Sequence, residues 1–323
     1  MTDGMERSGG NSKTYLMLVL IQFFWGFLAP VAKIAFRHFD PMFVIFLRIG
    51  ISSLFFYIVY RAVFYEGRTA GMDLLKFAGL GFLGVALSQV TFISGVARTT
   101  SINSLIILAT IPINTLIFSV LFKLEKFSFI KAFAILLAFA GVLFIVGIEG
   151  FTLSGNTIGN LLILVSSLSY SLYLVLSKSV LKKHSPFKLL TFVFMFGFFE
   201  TLPLTVFKVF DIAVNPVHIR FWWAPMVVVI IGTLLPNMLT IFALKNVRAS
   251  VVGVFSYLEP LFGVILSILM LGERLKINNI IAAVLILMGI IITSGEEKLV
   301  KKIRQAFFRR EKFCIKAADA AEK

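Results

Sequence analysis

The sequence predicts an all-α integral membrane protein whose ten transmembrane helices form two inverted repeats of five helices each. Three observations predict this fold class. Of the 323 residues, 59% are hydrophobic and 15% are charged, which is more apolar surface than a soluble chain of this length can bury. Apolar runs of about 20 residues, the length that crosses a hydrocarbon core, recur along the chain. The C-terminal parts of the two halves of the chain also resemble each other in sequence.

The apolar runs are separated by short polar turns that leave no room for a soluble domain. Because a backbone in lipid must satisfy its own N–H and C=O groups, these unbroken runs are predicted to be helices. The first run follows a polar tail (residues 1–13) and is longer than a signal-peptide core, so we expect it to be retained. The predicted spans are 14–36, 41–63, 73–94, 99–122, 127–148, 156–181, 186–209, 221–244, 249–271 and 276–294.

The net charge of +15 is distributed asymmetrically. With ten spans both chain ends lie on one side, and the tails, loops and span ends of that side hold 22 of the 31 Lys and Arg residues, against six on the other side. Basic residues are retained in the cytoplasm. The charge therefore predicts a multi-pass protein of the cell (inner) membrane with both termini cytoplasmic, and it does not indicate nucleic-acid binding.

The C-terminal tail (residues 295–323) is strongly basic. Leu299, Ile303 and Phe307 recur at helical intervals among its cations. This pattern is typical of an amphipathic helix on anionic lipid, and equally of a partly disordered solubilising tail. The only cysteine, Cys314, lies in this tail, so the sequence predicts no disulfide and no thiolate metal cluster. No metal or cofactor is expected.

An internal repeat organises the chain. With an offset of 148 residues, eight of the 30 positions from Pro112 to Gly141 are identical, and Pro112 matches Pro260. The repeats are predicted over 14–148 and 156–294. Since five spans is an odd number, the second repeat enters the membrane from the opposite face. Inverted repeats of this kind are typical of secondary transporters, which hold the solute at the repeat interface near mid-membrane.

Several motifs resemble a known family. The "WG…K" stretch from Trp25, the "PMFVIFLR" that ends at Arg48, and the P…LGE…G pattern that closes each half are similar to the drug/metabolite transporter superfamily, EamA-like type. The resemblance covers residues 14–294. It implies a ten-helix inverted-repeat carrier of small metabolites, often amino acids or related compounds and frequently exported. The first copy departs from the pattern at "FKLEKF", where the second has "MLGERL"; this concerns the loop turn.

The sequence contains no convincing motif for nucleotide binding or for catalysis. "GLGFLG" (residues 79–84) has the spacing of a dinucleotide fingerprint, but it lies inside the third span, where glycines favour close helix packing. No run has the pattern of a zinc protease, a P-loop or a nucleophile elbow, so neither an enzyme nor an ATP-driven pump is predicted.

Ionisable residues inside spans often mark a transport path. Glu259 lies at the centre of the ninth span. A carboxylate there is either protonated, which makes it a candidate for proton coupling, or paired with a cation in a structural role, and both alternatives stay open. Lys33 and Lys178 lie near span ends and can reach the interface. For Arg48 we expect a carboxylate or carbonyl partner, and for Glu200 a structural partner.

The two mid-span prolines are the other marker. Interruptions at corresponding positions of two repeats indicate a transporter's site, although packing kinks are the alternative. Pro260 removes its own N–H and is expected to free the carbonyl of Ser256. Polar and aromatic residues at similar depth complete the predicted solute-binding set: Trp25, Gln89, Asn103, Pro112, Tyr170, Tyr173, Asn237, Tyr257, Glu259 and Pro260.

The sequence therefore predicts a carrier that moves a small organic solute by alternating access, and coupling to a proton or another ion depends on the alternative left open at Glu259. Two alternatives use the same bundle: a non-transporting receptor or assembly protein, and a channel.

Overall fold

A computed structural model describes residues 12–96, 98–99, 101–146, 157–214, 217–271 and 277–295, and no strand occurs in those ranges. The predicted all-α membrane fold is confirmed. The tail beyond Gly295, with Cys314, and the loop glutamate Glu273 lie outside the described residues. The helices are α1 (Ser12–Ala35), α2 (Pro41–Val63), α3 (Gly71–Val96), α4a (Ser101–Leu108), α4b (Ile111–Leu121), α5 (Phe129–Val146), α6 (Thr157–Val180), α7 (Pro186–Val214), α8 (Ile219–Asn246), α9a (Ala249–Phe255), α9b (Leu258–Leu271) and α10 (Ile277–Gly295).

Seven apolar stretches have the length and composition of membrane-crossing helices; they lie in α2, α3, α4, α6, α7, α8 and α10. The other three predicted spans contain shorter apolar helices, Ser12–Leu28, Phe129–Ile145 and Ala249–Gly263. Helix thus occupies part of every predicted span, while the number of crossings, ten, stays a prediction.

Four of these segments are interrupted, and the interruptions recur 148 residues apart or within one residue of that. α3 widens into a π-helical turn at Phe82–Leu87, and α8 does so at Ile230–Leu234. α4 and α9 each break into two halves joined by a tight turn. Pro112 and Pro260 lie in the first turn of the second half, where a missing N–H removes no helical hydrogen bond.

Side chains on α6 compensate the irregular backbone of α3. Ser166 Oγ donates to the carbonyl of Ser88 at 2.8 Å, and Ser169 Oγ donates to the carbonyl of Leu83 at 2.7 Å. Lipid offers no hydrogen-bond partner, so a carbonyl released by a π-helical turn must find one inside the protein. This requirement explains why the otherwise apolar α6 carries buried serines.

The helices pack in pairs that the repeat relates. α1 packs against α8 and α9, as α6 packs against α3 and α4. α5 and α10 meet through Gly141 and Gly289, which match at the 148 offset. A Cβ at Gly141 would lie 2.8 Å from Ile286 Cγ1, and one at Gly289 would lie 2.6 Å from Ala138 Cβ. Glycine at both positions therefore permits the close approach of the two helices.

The "GLGFLG" segment lies in a helix, where two of its three glycines contact other helices. A Cβ at Gly81 would lie 2.8 Å from the carbonyl oxygen of Val193, and one at Gly84 would overlap the ring of Tyr173. A Cβ at Gly79 would meet nothing within 4 Å. Two of the three glycines thus serve helix packing.

A buried ion pair, Glu125 with Lys131, joins the loop after α4b to α5, and the same carboxylate binds the start of α9a. Glu125 and Lys131 expose 9% and 1% of their surfaces, and Glu125 Oε2 lies 2.7 Å from Lys131 Nζ. The carboxylate also accepts the Ser250 hydroxyl and, at Oε1, the Ser250 backbone N–H at 3.1 Å. Ser250 is the second residue of α9a, so its N–H has no acceptor within the helix and Glu125 caps it.

Because of this ion pair, we expect the unfolding free energy of the protein to depend on pH. Burial by itself raises the pKa of Glu125, but the charge of Lys131 and the hydrogen bonds from Lys131 and Ser250 outweigh it and hold the pKa below its usual range. The stabilisation is therefore present above the unfolded-state pKa of about 4.3 and is lost as pH falls through the folded-state pKa. We expect Glu125→Gln to lower the unfolding free energy by about 3–5 kcal/mol at neutral pH. Denaturant unfolding of the purified protein in detergent measures this difference, which shrinks below about pH 4.3.

The control is the double variant Glu125→Gln, Lys131→Met. Removing both charges is expected to destabilise less than the sum of the two single changes, because neither charge is then buried without the other. Additive effects would contradict a stabilising Glu125–Lys131 pair.

Candidate functional site

A cavity of about 180 Å³ lies among α1, α2, α3, α4, α6, α8 and α9. All four helix interruptions reach it, through Gly84 and Gly232 of the π-helical turns and through Ala109 and Ser256 of the two breaks. The cavity thus lies where the backbone departs from regular helix in both halves of the chain.

Most of the predicted solute-binding set surrounds this cavity. The seven members that line it are Trp25, Gln89, Tyr170, Asn237, Tyr257, Glu259 and Pro260. They come from five helices, α1, α3, α6, α8 and α9, and folding brings them to one place. Their role in solute binding stays a prediction.

The other three members make contacts between helices. Asn103 is fully buried, and its Nδ2 donates to Asn160 Oδ1 at 3.0 Å, joining α4a to α6. Pro112 packs on α9a, where a Cβ at Gly253 would lie 3.3 Å from its Cα. Tyr173 is 2% exposed and lies beneath the π-helical turn of α3. None of these three residues lines the cavity.

Aromatic rings form part of the cavity wall. The rings of Trp25 and Tyr170 meet edge to face with centroids 6.0 Å apart, and Tyr173 follows at 6.0 Å from Tyr170. Edge-to-face contact is one of the arrangements that aromatic pairs prefer. Trp25 and Tyr170 therefore give the cavity a packed aromatic wall, and Tyr173 lies behind it.

Two amide side chains follow the π-helical turns. Asn237 Nδ2 donates to the carbonyl of Thr233 at 2.7 Å, a carbonyl in the π-helical turn of α8. Its repeat-related counterpart, Gln89, has a buried Oε1 with no hydrogen-bond partner among the described residues. A buried acceptor without a partner costs about 1–3 kcal/mol. A solute that donates a hydrogen bond to Gln89 would recover part of that free energy.

Glu259 is the second residue of α9b and lies half-buried at the cavity. Within the part of the chain that the structure describes, no lysine, arginine or histidine nitrogen lies within 4.0 Å of its carboxylate. Of the two alternatives that the sequence leaves open, pairing with a cation is therefore not observed for these residues.

The prediction of a free Ser256 carbonyl at the α9 break is wrong. The carbonyl of Ser256 accepts the backbone N–H of Glu259 at 3.1 Å. The chain tightens into a turn with hydrogen bonds between residues three apart, which brings the Glu259 N–H to the carbonyl that Pro260 cannot reach. Side chains therefore supply the polarity of this break.

Arg48 has the carbonyl partner that the sequence predicts, with Nη2 3.4 Å from Gly232 O, and its Nε donates to Thr233 Oγ1 at 2.6 Å. The guanidinium also lines the cavity, which sequence reasoning missed. The available signal was its position seven residues inside an apolar span. Phe92 and Leu105 also line the cavity, and nothing in the sequence separates them from lipid-facing residues.

The remaining ionisable residues in spans lie elsewhere. Lys178 Nζ donates to the carbonyls of Leu244 at 2.8 Å and Lys245 at 3.2 Å, in the last turn of α8, which is a structural role. Glu200 Oε2 is buried, and the described residues supply no hydrogen-bond partner, so the expected structural partner is absent there. The structure does not describe the side chain of Lys33.

Comparison with known proteins agrees with this architecture. The sequence profile of the EamA-like transporter family matches the chain twice, over residues 12–147 and 157–295. YyaM of Bacillus subtilis, an uncharacterized transporter, is 23% identical over 296 residues, which are 89% of this chain and 95% of YyaM. Uncharacterized transporters of Archaeoglobus fulgidus are 25% identical over 280 residues (87% of this chain, 98% of the relative) and 27% over 297 residues (89% and 99%). A solved crystal structure, 17% identical, shares the fold with a TM-score of 0.70 over 87% of this chain and 96% of that one.

Cysteine labelling can test whether water reaches the cavity. On a Cys314→Ser background, which removes the only native cysteine, Leu105→Cys is expected to react with a membrane-impermeant maleimide in purified protein. The reason is that Leu105 lines the cavity with 38% of its surface accessible. Mass spectrometry measures the modification.

The matched control is Leu164→Cys. Leu164 has the same 38% exposure, but it lies on α6 outside the cavity, where detergent is expected to cover it. Thr115→Cys, fully buried, gives the unreactive baseline. Equal labelling at positions 105 and 164, or faster labelling at 164, would contradict a water-filled cavity.

Proposed function

The chain belongs to the EamA-like transporter family, and from that premise we propose that it is a secondary active transporter of small organic metabolites that works by alternating access. Amino acids or related compounds, carried outward, are the proposed solutes. The observation that carries this proposal is the cavity at which all four helix interruptions meet. Carriers place their solute at such interruptions, because irregular backbone is tolerated in a membrane only where it is buried in protein or lines a cavity.

Two inverted repeats supply the moving parts in this proposal. The family profile matches the two halves separately. The π-helical turns in α3 and α8, and the glycine contacts between α5 and α10, recur at the same offset. Rocking of one repeat against the other would expose the central cavity first to one side of the membrane and then to the other.

The two sides of the cavity differ in packing. Toward the start of α9a, Leu18, Ser119 and the Glu125–Lys131 pair are buried, and so is the cavity-lining Tyr257. Toward α4a, the cavity-lining Leu105 keeps 38% of its surface accessible. With the termini in the cytoplasm, this arrangement corresponds to a carrier closed on the cytoplasmic side.

The proposed location is the cell (inner) membrane, with both termini cytoplasmic. The excess of Lys and Arg on the side that carries the termini supports this orientation. Contact of the basic tail with anionic lipid is part of the same proposal and concerns residues outside the described ranges. The proposed mechanism needs no covalent step and no cofactor, since specificity comes from the shape of the cavity and a few polar contacts.

Flux in vesicles tests the proposal. Purified protein reconstituted in liposomes is expected to move at least one member of a metabolite panel, with a rate that saturates as solute concentration rises. Radiolabelled uptake measures the rate, and liposomes without protein are the control. A receptor or assembly protein would move no solute under any gradient, and a channel would give a rate that does not saturate.

Glu259 is the proposed coupling residue because its carboxylate lies at the cavity and, among the described residues, has no cationic partner. Glu259→Gln is expected to remove the dependence of solute flux on a pH gradient, while exchange at saturating solute continues. Uptake driven by a pH step is compared with solute exchange at equal pH. Glu200→Gln is the matched control, since that carboxylate lies in α7 outside the cavity. Unchanged pH dependence in Glu259→Gln would assign Glu259 a structural role.

A further inference from the structure

We propose that Arg48 and Glu259 form a two-point recognition site for zwitterionic solutes. The guanidinium of Arg48 binds the anionic group of the solute, and the carboxylate of Glu259 binds its ammonium group. The inference rests on the proposed transport function and deepens it, because it names the charge pattern of the solute and the residue at each end.

Arg48 is positioned to bind an anion. It lies on α2 and lines the cavity. Two of its donor groups are occupied, Nε by Thr233 Oγ1 and Nη2 by the carbonyl of Gly232. Both acceptors are neutral and belong to the π-helical turn of α8, and within the described ranges no carboxylate oxygen lies within 4.0 Å of the guanidinium. A guanidinium has five N–H donors in a planar fork, so most of its capacity stays available for a carboxylate.

The same contacts fix the guanidinium in place. α8 widens at Ile230–Leu234, and this widening provides the hydroxyl and carbonyl that hold Arg48. A side chain held in this way loses little further entropy when it binds a ligand. The π-helical turn thus orients a cation at the cavity instead of neutralising it.

Glu259, in the first turn of α9b, presents a negative charge to the same cavity. Its backbone is held firmly, because α1 approaches so closely at Gly26 that a Cβ there would lie 3.3 Å from the Glu259 carbonyl oxygen. Its side chain lines the same cavity as Arg48, yet the two groups do not form an ion pair with each other within 4.0 Å.

Two opposite charges that line one membrane cavity without pairing favour a particular ligand. Charges inside a bundle are costly unless they are paired, and an interaction between charges is much stronger in a partly desolvated site than in water. A zwitterion supplies a partner to each charge at once, whereas a singly charged solute leaves one charge unpaired and a neutral solute leaves both. A proton on Glu259 and the ammonium group of the solute would then compete for one carboxylate, which connects recognition to coupling.

Thermal unfolding of the full-length protein in detergent can test the site. The probes are three matched sets: L-leucine, L-phenylalanine and L-methionine, each with its amide, which lacks the carboxylate, and its N-acetyl derivative, which lacks the ammonium group. Binding to the folded state raises its unfolding temperature. We expect at least one amino acid to bind about tenfold more tightly than both of its derivatives, a factor that corresponds to about 1.4 kcal/mol.

The variants assign each charge to its residue. Arg48→Gln is expected to abolish discrimination between the amino acid and its amide, and to keep discrimination against the N-acetyl derivative. Glu259→Gln is expected to do the reverse. Arg48→Lys keeps the charge without the planar fork, so it retains part of the discrimination and remains informative if Arg48→Gln does not fold.

Three results would overturn the inference: no stabilisation by any amino acid of the three sets, equal stabilisation by an amino acid and its derivatives, or loss of affinity in Arg48→Gln that is the same for all three compounds. The last would make Arg48 a purely structural clamp between α2 and α8. These outcomes are separate from the flux test. A protein that moves solutes without this discrimination remains a transporter, and one that binds zwitterions without flux is a receptor.

Discussion

The absence of water inside a bilayer is the constraint on which the rest of this structure depends. Each backbone N–H and C=O must find a partner within the protein, so the chain departs from regular helix only where side chains can replace the lost hydrogen bonds. At the π-helical turn of α3, Ser169 reaches the carbonyl of Leu83 from α6, and Ser166 reaches the carbonyl of Ser88 directly after the turn. At the π-helical turn of α8, Asn237 and Arg48 reach the carbonyls of Thr233 and Gly232.

The same constraint explains why the polar groups of the protein are concentrated at its centre. Once a helix is interrupted, donors must be placed around the interruption, and those donors make the neighbouring space polar. The two breaks before Pro112 and Pro260 and the two π-helical turns therefore create one chamber, which aromatic rings close on one side. The two halves differ at this chamber: the repeat matches Ile111 with Glu259, so the carboxylate occurs in the second half only.

Two kinds of contact join the two repeats. Gly141 and Gly289 make equivalent contacts between α5 and α10, because both serve the approach of the two helices. Glu125 joins the loop of the first half to the N-terminus of α9a in the second, and thereby also links the two repeats, at one face of the bundle. A contact that spans both repeats must change if they rock against each other, whereas contacts within one repeat can persist.

The sequence by itself determined the fold class, the helical segments and the repeat, because hydropathy, segment length and matched prolines are local properties of the chain. It also placed Trp25, Gln89, Tyr170, Asn237, Tyr257, Glu259 and Pro260 at a common depth. Only the tertiary structure decided that Asn103 forms a hydrogen bond with Asn160 outside the cavity and that Arg48 lines the cavity. The neighbouring helices set the rotation of each helix about its axis, and this rotation decides which side chains face the cavity. Likewise, the N–H of Glu259 reaches the Ser256 carbonyl only because the turn tightens, and backbone geometry of this kind has no signature in composition or spacing.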